Sequence, residues 1–200
     1  MIKEKLFENF GHPRGLLGRL AGVIMAKKKS NIARGRWAIA ELAPKPDARV
    51  LEIGYGPGLG LAEMSRRVSE GTVIGVDISD VMLAQASRRN AEAIRSGRLE
   101  LRLGDAQALD PDLSEFDLIY GINVWQFWAD QAATITALHE RLAPGGRLAL
   151  VYMRPPGATT TGEQVAELLQ DQFTSAGLVD IEAQTMTFDP PAVMVLGHRR

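Results

Sequence analysis

The sequence predicts an α/β protein: a doubly wound, mostly parallel seven-stranded sheet with an antiparallel edge strand, preceded by N-terminal helices. Three observations lead there. From Arg49 onward, short aliphatic runs alternate with stretches whose apolar residues recur at helical spacing, the pattern of strands joined by right-handed crossover helices. The first run, Val50 to Ile53, breaks into a turn with Gly at every second position, Gly54, Gly56, Gly58 and Gly60; a helical pattern of Leu59, Leu61, Met64 and Val68 overlaps its end. The last two runs flank Pro190-Pro191, a tight turn that adds an antiparallel strand at one edge.

The elements follow in order. Phe7 and Phe10 are the only large anchors before the Gly11-His12-Pro13 break. Leu16, Leu17, Leu20, Val23 and Ile24 predict an amphipathic helix over 14–29. A second helix, capped by Ser30 or Asn31, runs to about Leu42; Ile32, Ile39 and Ala43 share one face, and Pro44 and Pro46 end it. Strands are predicted at 49–53, 72–76, 99–103, 116–120 and 147–152, and at 178–186 and 192–196 in the tail. Helices are predicted at 59–69, 80–95, 130–142 (stopped by Pro144-Gly145-Gly146) and 159–176 (opened by a Thr cap and closed by Gly177). The expected division is an N-terminal helical cap segment, 1–44, and a ligand-binding domain, 45–200.

Composition narrows the chemistry. Two hundred residues are enough for one domain with a substantial core. The absence of Cys excludes disulfides, thiol nucleophiles and Cys-bound zinc, and no metal site is expected. No apolar run reaches the ~18 residues of a membrane span, and the N-terminus shows no clear cleavage signal, so a cytoplasmic location is expected. Charge is uneven. Residues 1–36 hold nine Lys/Arg against Glu4 and Glu8, a surplus of seven; the remainder therefore carries eight net negative charges to reach the total of −1. Such a segment suits a solvated helix face or an anionic partner.

In an open parallel sheet, ligand groups sit beyond the carboxyl ends of the strands. The first end carries the glycine turn, a nucleotide-cradling arrangement. A dinucleotide G-x-G-x-x-G fingerprint fails here: from Gly54, Gly56 or Gly58 the last slot is Leu59, Leu61 or Glu63. What stands instead is E-x-G-x-G-x-G, from Glu52 to Gly58. The second end gives Asp77, a carboxylate about 20 residues on and suited to ribose hydroxyls. The third gives Gly104-Asp105-Ala106, with an acid for an adenine amino group and a backbone N–H for its ring. The fourth gives Asn123, among Tyr120, Trp125, Phe127 and Trp128.

Together V-L-E-I-G-Y-G-P-G, V-I-G-V-D-I-S, L-G-D-A, F-D-L-I-Y-G-I-N and L-A-P-G-G-R-L-A-L resemble the class I S-adenosylmethionine-dependent methyltransferases over about residues 35–155, and their small-molecule branch most. The resemblance implies S-adenosylmethionine as cofactor and S-adenosylhomocysteine as product. It implies Asp77 at the ribose, Asp105 and Ala106 at the adenine with Ile78 and Met82 flanking it, and Gly54, Gly56, Gly58 and Asn123 at the methionine portion. Glu52 would hold the loop or the methionine amino group. Tyr55 fills a slot that is often small or acidic, so its ring is expected to shape the pocket. No Asn-Pro-Pro-Tyr run follows the fourth strand, which disfavours methylation of DNA base amino groups.

The expected partner is a small-molecule acceptor, with the chain a monomer or homodimer; nucleic acid is not expected, and a membrane surface is the weaker alternative for the basic segment. The competing functions are an RNA, protein or lipid methyltransferase and a non-catalytic S-adenosylmethionine-binding protein. Because the loop after the fifth strand is short, the N-terminal segment is expected to cover the cofactor cleft, bringing Phe7, Phe10 or His12 to the acceptor; His12 is the candidate general base.

Overall fold

The computed structural model describes residues 29–154, 159–187 and 191–200. His12, Phe7, Phe10, the helix expected over 14–29 and most of the cap segment lie outside them. The elements are α1 (Lys29–Leu42), β1 (Arg49–Ile53), α2 (Leu59–Arg67), β2 (Thr72–Asp77), α3 (Asp80–Arg89), α4 (Ala91–Arg95), β3 (Leu99–Leu103), β4 (Phe116–Ile122), α5 (Gln131–Glu140), β5 (Leu142–Met153), α6 (Gly162–Ser175), β6 (Val179–Met186) and β7 (Ala192–His198), with a single 3-10 turn at Trp125–Phe127.

The seven strands lie in the order β3-β2-β1-β4-β5-β7-β6. β2 pairs parallel with β3, and β4 parallel with β5. The antiparallel addition is β7, which runs against β5 on one side and against the outermost β6 on the other. A fully buried set including Val50, Leu51, Phe116, Ile119, Tyr120 and Leu148 forms the core. Parallel strands covered on both faces read as such continuous apolar runs.

Two compact units divide the chain: residues up to Ala48 with Glu52–Asp105, and Arg49–Leu51 with Ala106–Arg200. In the first, α2 and α3 both pack on β2, α4 packs on β3, and α1 packs on α2. In the second, α6 packs on β5, β6 and β7, and α5 packs on β5.

Four expectations change. Ser30 and Asn31, expected as caps, lie inside α1. The buried stripe of α1 is Ala38, Ile39 and Leu42; Ala43 is exposed beyond the helix end, at φ 40. The helix expected over 80–95 is two helices broken at Asn90 (φ −107, ψ 20). Pro144-Gly145-Gly146 does not stand between helix and strand: α5 ends at Glu140 and the motif is an irregular stretch of β5. There the Gly145 N–H donates to the Arg199 carbonyl (3.0 Å), and the Arg199 N–H to the Gly146 carbonyl (2.8 Å). The C-terminal chain is therefore the partner that turns a helix-breaking sequence into a strand, a long-range pairing that local propensity does not see.

Candidate functional site

The glycine turn leaves β1 at Ile53. Gly54, Gly56 and Gly58 all have positive φ (69, 51 and 77), a region that costs a side chain strain and glycine nothing. The Gly54 N–H donates to the Val76 carbonyl at 2.8 Å, which ties the start of the turn to β2. Gly58 is also tightly packed: a Cβ there would stand 2.5 Å from Asn90 Nδ2 and 2.9 Å from Ala86 Cβ. A Cβ on Gly56 would meet nothing within 4 Å, so this side of the turn is open to a ligand. Gly60 serves a third purpose. Its missing Cβ makes room for the Glu52 carboxylate, which would otherwise approach it at 2.5 Å. Glu52 is 3 % exposed, and its carboxyl group lies against Gly60 in the first turn of α2.

Asp77, at the end of β2, is 8 % exposed. One of its oxygens accepts from the Gly56 N–H (2.8 Å) and the other from the Ser79 N–H (2.9 Å). Charge-assisted bonds of this kind are about twice as strong as neutral ones. The expected ribose-binding carboxylate is thus also what holds the glycine turn, and a ribose hydroxyl would share oxygens that retain further lone pairs. Ser79 in turn caps α3, its hydroxyl accepting from the Met82 N–H at 3.4 Å.

Other expected site residues separate. Ile78 is 37 % exposed beside Asp77, and Asp105 is exposed at the end of β3, both open to a ligand; Ala106 is buried. Met82 is 1 % exposed, a buried residue of α3. The Tyr55 side chain is buried too. Its ring packs where a Gly75 Cβ would be, and its hydroxyl donates to the Arg102 carbonyl at 3.3 Å. Burial, and secondarily the charge of Asp77, pushes its pKa well above the ordinary tyrosine value, so it stays neutral.

Two residues absent from the sequence expectations complete the turn. Arg89 Nε donates to the Pro57 carbonyl (2.8 Å), and Asn90 Nδ2 to the Gly58 carbonyl (3.1 Å) and to the Ala86 carbonyl (3.0 Å). The signal was Asn90 itself, a backbone-bonding residue inside an otherwise helical run.

In the second unit, Asn123 adopts φ 56 just past β4. Its Oδ1 accepts from the Met153 N–H at 2.7 Å and its own N–H donates to the Val151 carbonyl at 2.8 Å, so it pins the carboxyl end of β4 to that of β5. Gln126 Nε2 donates to the Asn123 carbonyl at 3.2 Å, while Gln126 Oε1 is buried without a partner. Trp125, 8 % exposed, donates to Gln172 Oε1 (2.9 Å). Gln172 Nε2 donates to Gln131 Oε1 (3.3 Å), and Gln131 Nε2 returns to the Trp125 carbonyl (3.4 Å). The ring joins the 3-10 turn, α5 and α6. Tyr120 is fully buried; Phe127 and Trp128 are half-buried.

Comparison with known proteins agrees with this layout. Residues 50–146 match the family described as methyltransferase domain. The chain is 29 % identical over 175 residues to the uncharacterized methyltransferase YdaC of Bacillus subtilis, covering 86 % of this chain and 92 % of that one. It is 32 % identical over 123 residues to a trans-aconitate 2-methyltransferase of Deinococcus radiodurans, but that match spans 62 % of this chain and only 45 % of the relative. Among solved structures, a SAM dependent methyltransferase from Aquifex aeolicus superposes with a TM-score of 0.67 at 17 % identity, over 86 % of this chain and 98 % of that one, a likeness of fold. The family match, the relatives and the shared fold together support a class I S-adenosylmethionine-dependent methyltransferase.

Proposed function

We propose that this methyltransferase transfers the methyl group of S-adenosylmethionine to a small-molecule acceptor. One observation supports the cofactor half most: a glycine turn whose Gly56 side is open and whose N–H is held by the buried Asp77 carboxylate. The residues present fit the group. Asp77 would accept from the ribose hydroxyls, Ile78 would lie against the adenine, Asp105 would accept from its amino group, and the backbone of Gly54–Gly58 would run beside the methionine portion. When bound, the cofactor supplies an activated methyl group for in-line displacement by an acceptor atom. The protein's task is then alignment and exclusion of water.

The acceptor half rests on relatives of that type, including trans-aconitate 2-methyltransferases and a demethylmenaquinone methyltransferase of Thermus thermophilus. Among the described residues no helix is long and apolar enough to cross a membrane. The test has two arms. Calorimetry of the full chain should give S-adenosylhomocysteine binding at roughly micromolar affinity, about −8 kcal/mol, and no binding of NAD. Methyl-labelled cofactor should then mark a member of a panel of small carboxylic acids, phenols and amines, and leave RNA and liposomes unlabelled. Labelled RNA or lipid would overturn the acceptor class; NAD binding in place of S-adenosylhomocysteine would overturn the cofactor.

A further inference from the structure

We propose that Arg89 and Asn90, at the end of α3, are positioning residues for cofactor binding: they grip the Pro57 and Gly58 carbonyls of the glycine turn, and so preset the turn and the Leu59 N–H beyond it for the ligand. The inference rests on the cofactor reading above but concerns residues whose side chains bond to the turn itself. Three peptide units of the turn are held by side chains at the end of β2 and the end of α3. Asp77 takes the Gly56 N–H, Arg89 holds the Pro57 carbonyl at 2.8 Å and Asn90 holds the Gly58 carbonyl at 3.1 Å. Asn90 is 4 % exposed, and Gly58 is so close to it that a Cβ would stand 2.5 Å from its amide nitrogen.

The physical consequence follows from the planarity of the peptide bond. A carbonyl and the N–H of the next residue point in opposite directions across a trans peptide. Fixing the Gly58 carbonyl toward Asn90 therefore sends the Leu59 N–H, in the first turn of α2, to the other side. Three glycines at positive φ within five residues give a turn with much conformational freedom to lose. Ordering it on ligand binding would weaken affinity; ordering it beforehand removes that loss. The break between α3 and α4 has its cause here: Asn90 leaves helical geometry at the point where its amide reaches the turn.

The experiment compares wild type, R89A, R89K, N90A and N90D, with R95A as a control for the loss of a nearby exposed positive charge. Two quantities are read well below the melting temperature. One is the Kd for S-adenosylhomocysteine; the other is amide hydrogen exchange at Gly56 and Gly58 in cofactor-free protein. Losing one such hydrogen bond should weaken binding about three- to tenfold and speed exchange at both glycines, with exchange in β4 and β5 unchanged. R89K keeps a donor and should restore affinity. N90D, which sets a carboxylate against a carbonyl, should bind more weakly than N90A. R95A should match wild type. Wild-type affinity and wild-type exchange in both R89A and N90A would overturn the proposal. Arg89 is exposed, so if the Asn90 variants fail to fold, the R89A and R89K pair decides alone. Should wild type bind no S-adenosylhomocysteine, the cofactor reading fails, and the exchange rates still decide whether the two residues hold the turn.

Discussion

Three polar side chains of the unit that carries the glycine turn converge on one short piece of its backbone, whereas four in the unit built on β4 to β7 tie separate elements to one another. In the first, Asp77, Arg89 and Asn90 all bond to main-chain atoms of Gly56, Pro57 and Gly58. In the second, Asn123 joins β4 to β5, and Trp125, Gln131 and Gln172 join the 3-10 turn, α5 and α6. The difference suits the cofactor proposed above: a ligand common to a whole family can be bound by backbone, whose groups are the same in every sequence once their geometry is set.

The strongest way to break the first region is steric. Gly58→Ala would place a Cβ 2.5 Å from Asn90 Nδ2 and 3.0 Å from the Ala86 backbone at φ 77. Overpacking and strain together should destabilise by about 2–4 kcal/mol, read by urea denaturation, and binding of S-adenosylhomocysteine should fall below detection. A fully stable variant that binds normally would refute the packing described.

Asp77→Ala removes an acceptor from the turn and from the expected ribose site together. It should weaken S-adenosylhomocysteine by about 10- to 100-fold, and the fold should survive. An unchanged Kd would exclude Asp77 from the site.

Trp125→Phe sharpens the contrast from the other side. It leaves Gln172 Oε1 without its donor, which should cost about 1–2 kcal/mol of stability. Cofactor affinity should stay within about twofold, a difference of ~0.4 kcal/mol; a loss as large as that of Asp77→Ala would mean the second unit's network governs the cofactor.

The smallest effect concerns pH. His139, half-buried in the last turn of α5, has its pKa lowered from 6.5 by burial and then by Arg199. The unfolded chain binds the proton more readily, so His139 lowers stability as pH falls through 6.5 toward the depressed folded value. His139→Gln should flatten the stability curve in that window and leave it unchanged above pH 7.5. An equal acid loss in wild type and variant would show that His139 does not contribute.

Much of this molecule was legible along the chain. The alternation of apolar runs with helical spacing located every strand of the sheet, because a buried parallel strand has little choice but continuous aliphatics. The glycine turn was legible because positive φ and close approach demand glycine whatever surrounds them. Asp77 was legible as the acid at a strand end.

What only tertiary structure decided is which of these residues spend their side chains on the protein itself. Tyr55 and Met82 sit in the same stretches as the site residues, yet one packs on Gly75 and the other is core. Arg89 and Asn90 lie 31 and 32 residues beyond Gly58, and nothing local in a helix end says that its carbonyl partner is in a distant turn. Pro144-Gly145-Gly146 lies within a strand, where Arg199 comes back to pair with it. Sequence pattern reports what a backbone conformation or a buried face requires of a residue; a hydrogen bond between side chain and distant backbone requires only that the two meet, and the folded chain alone sets that meeting.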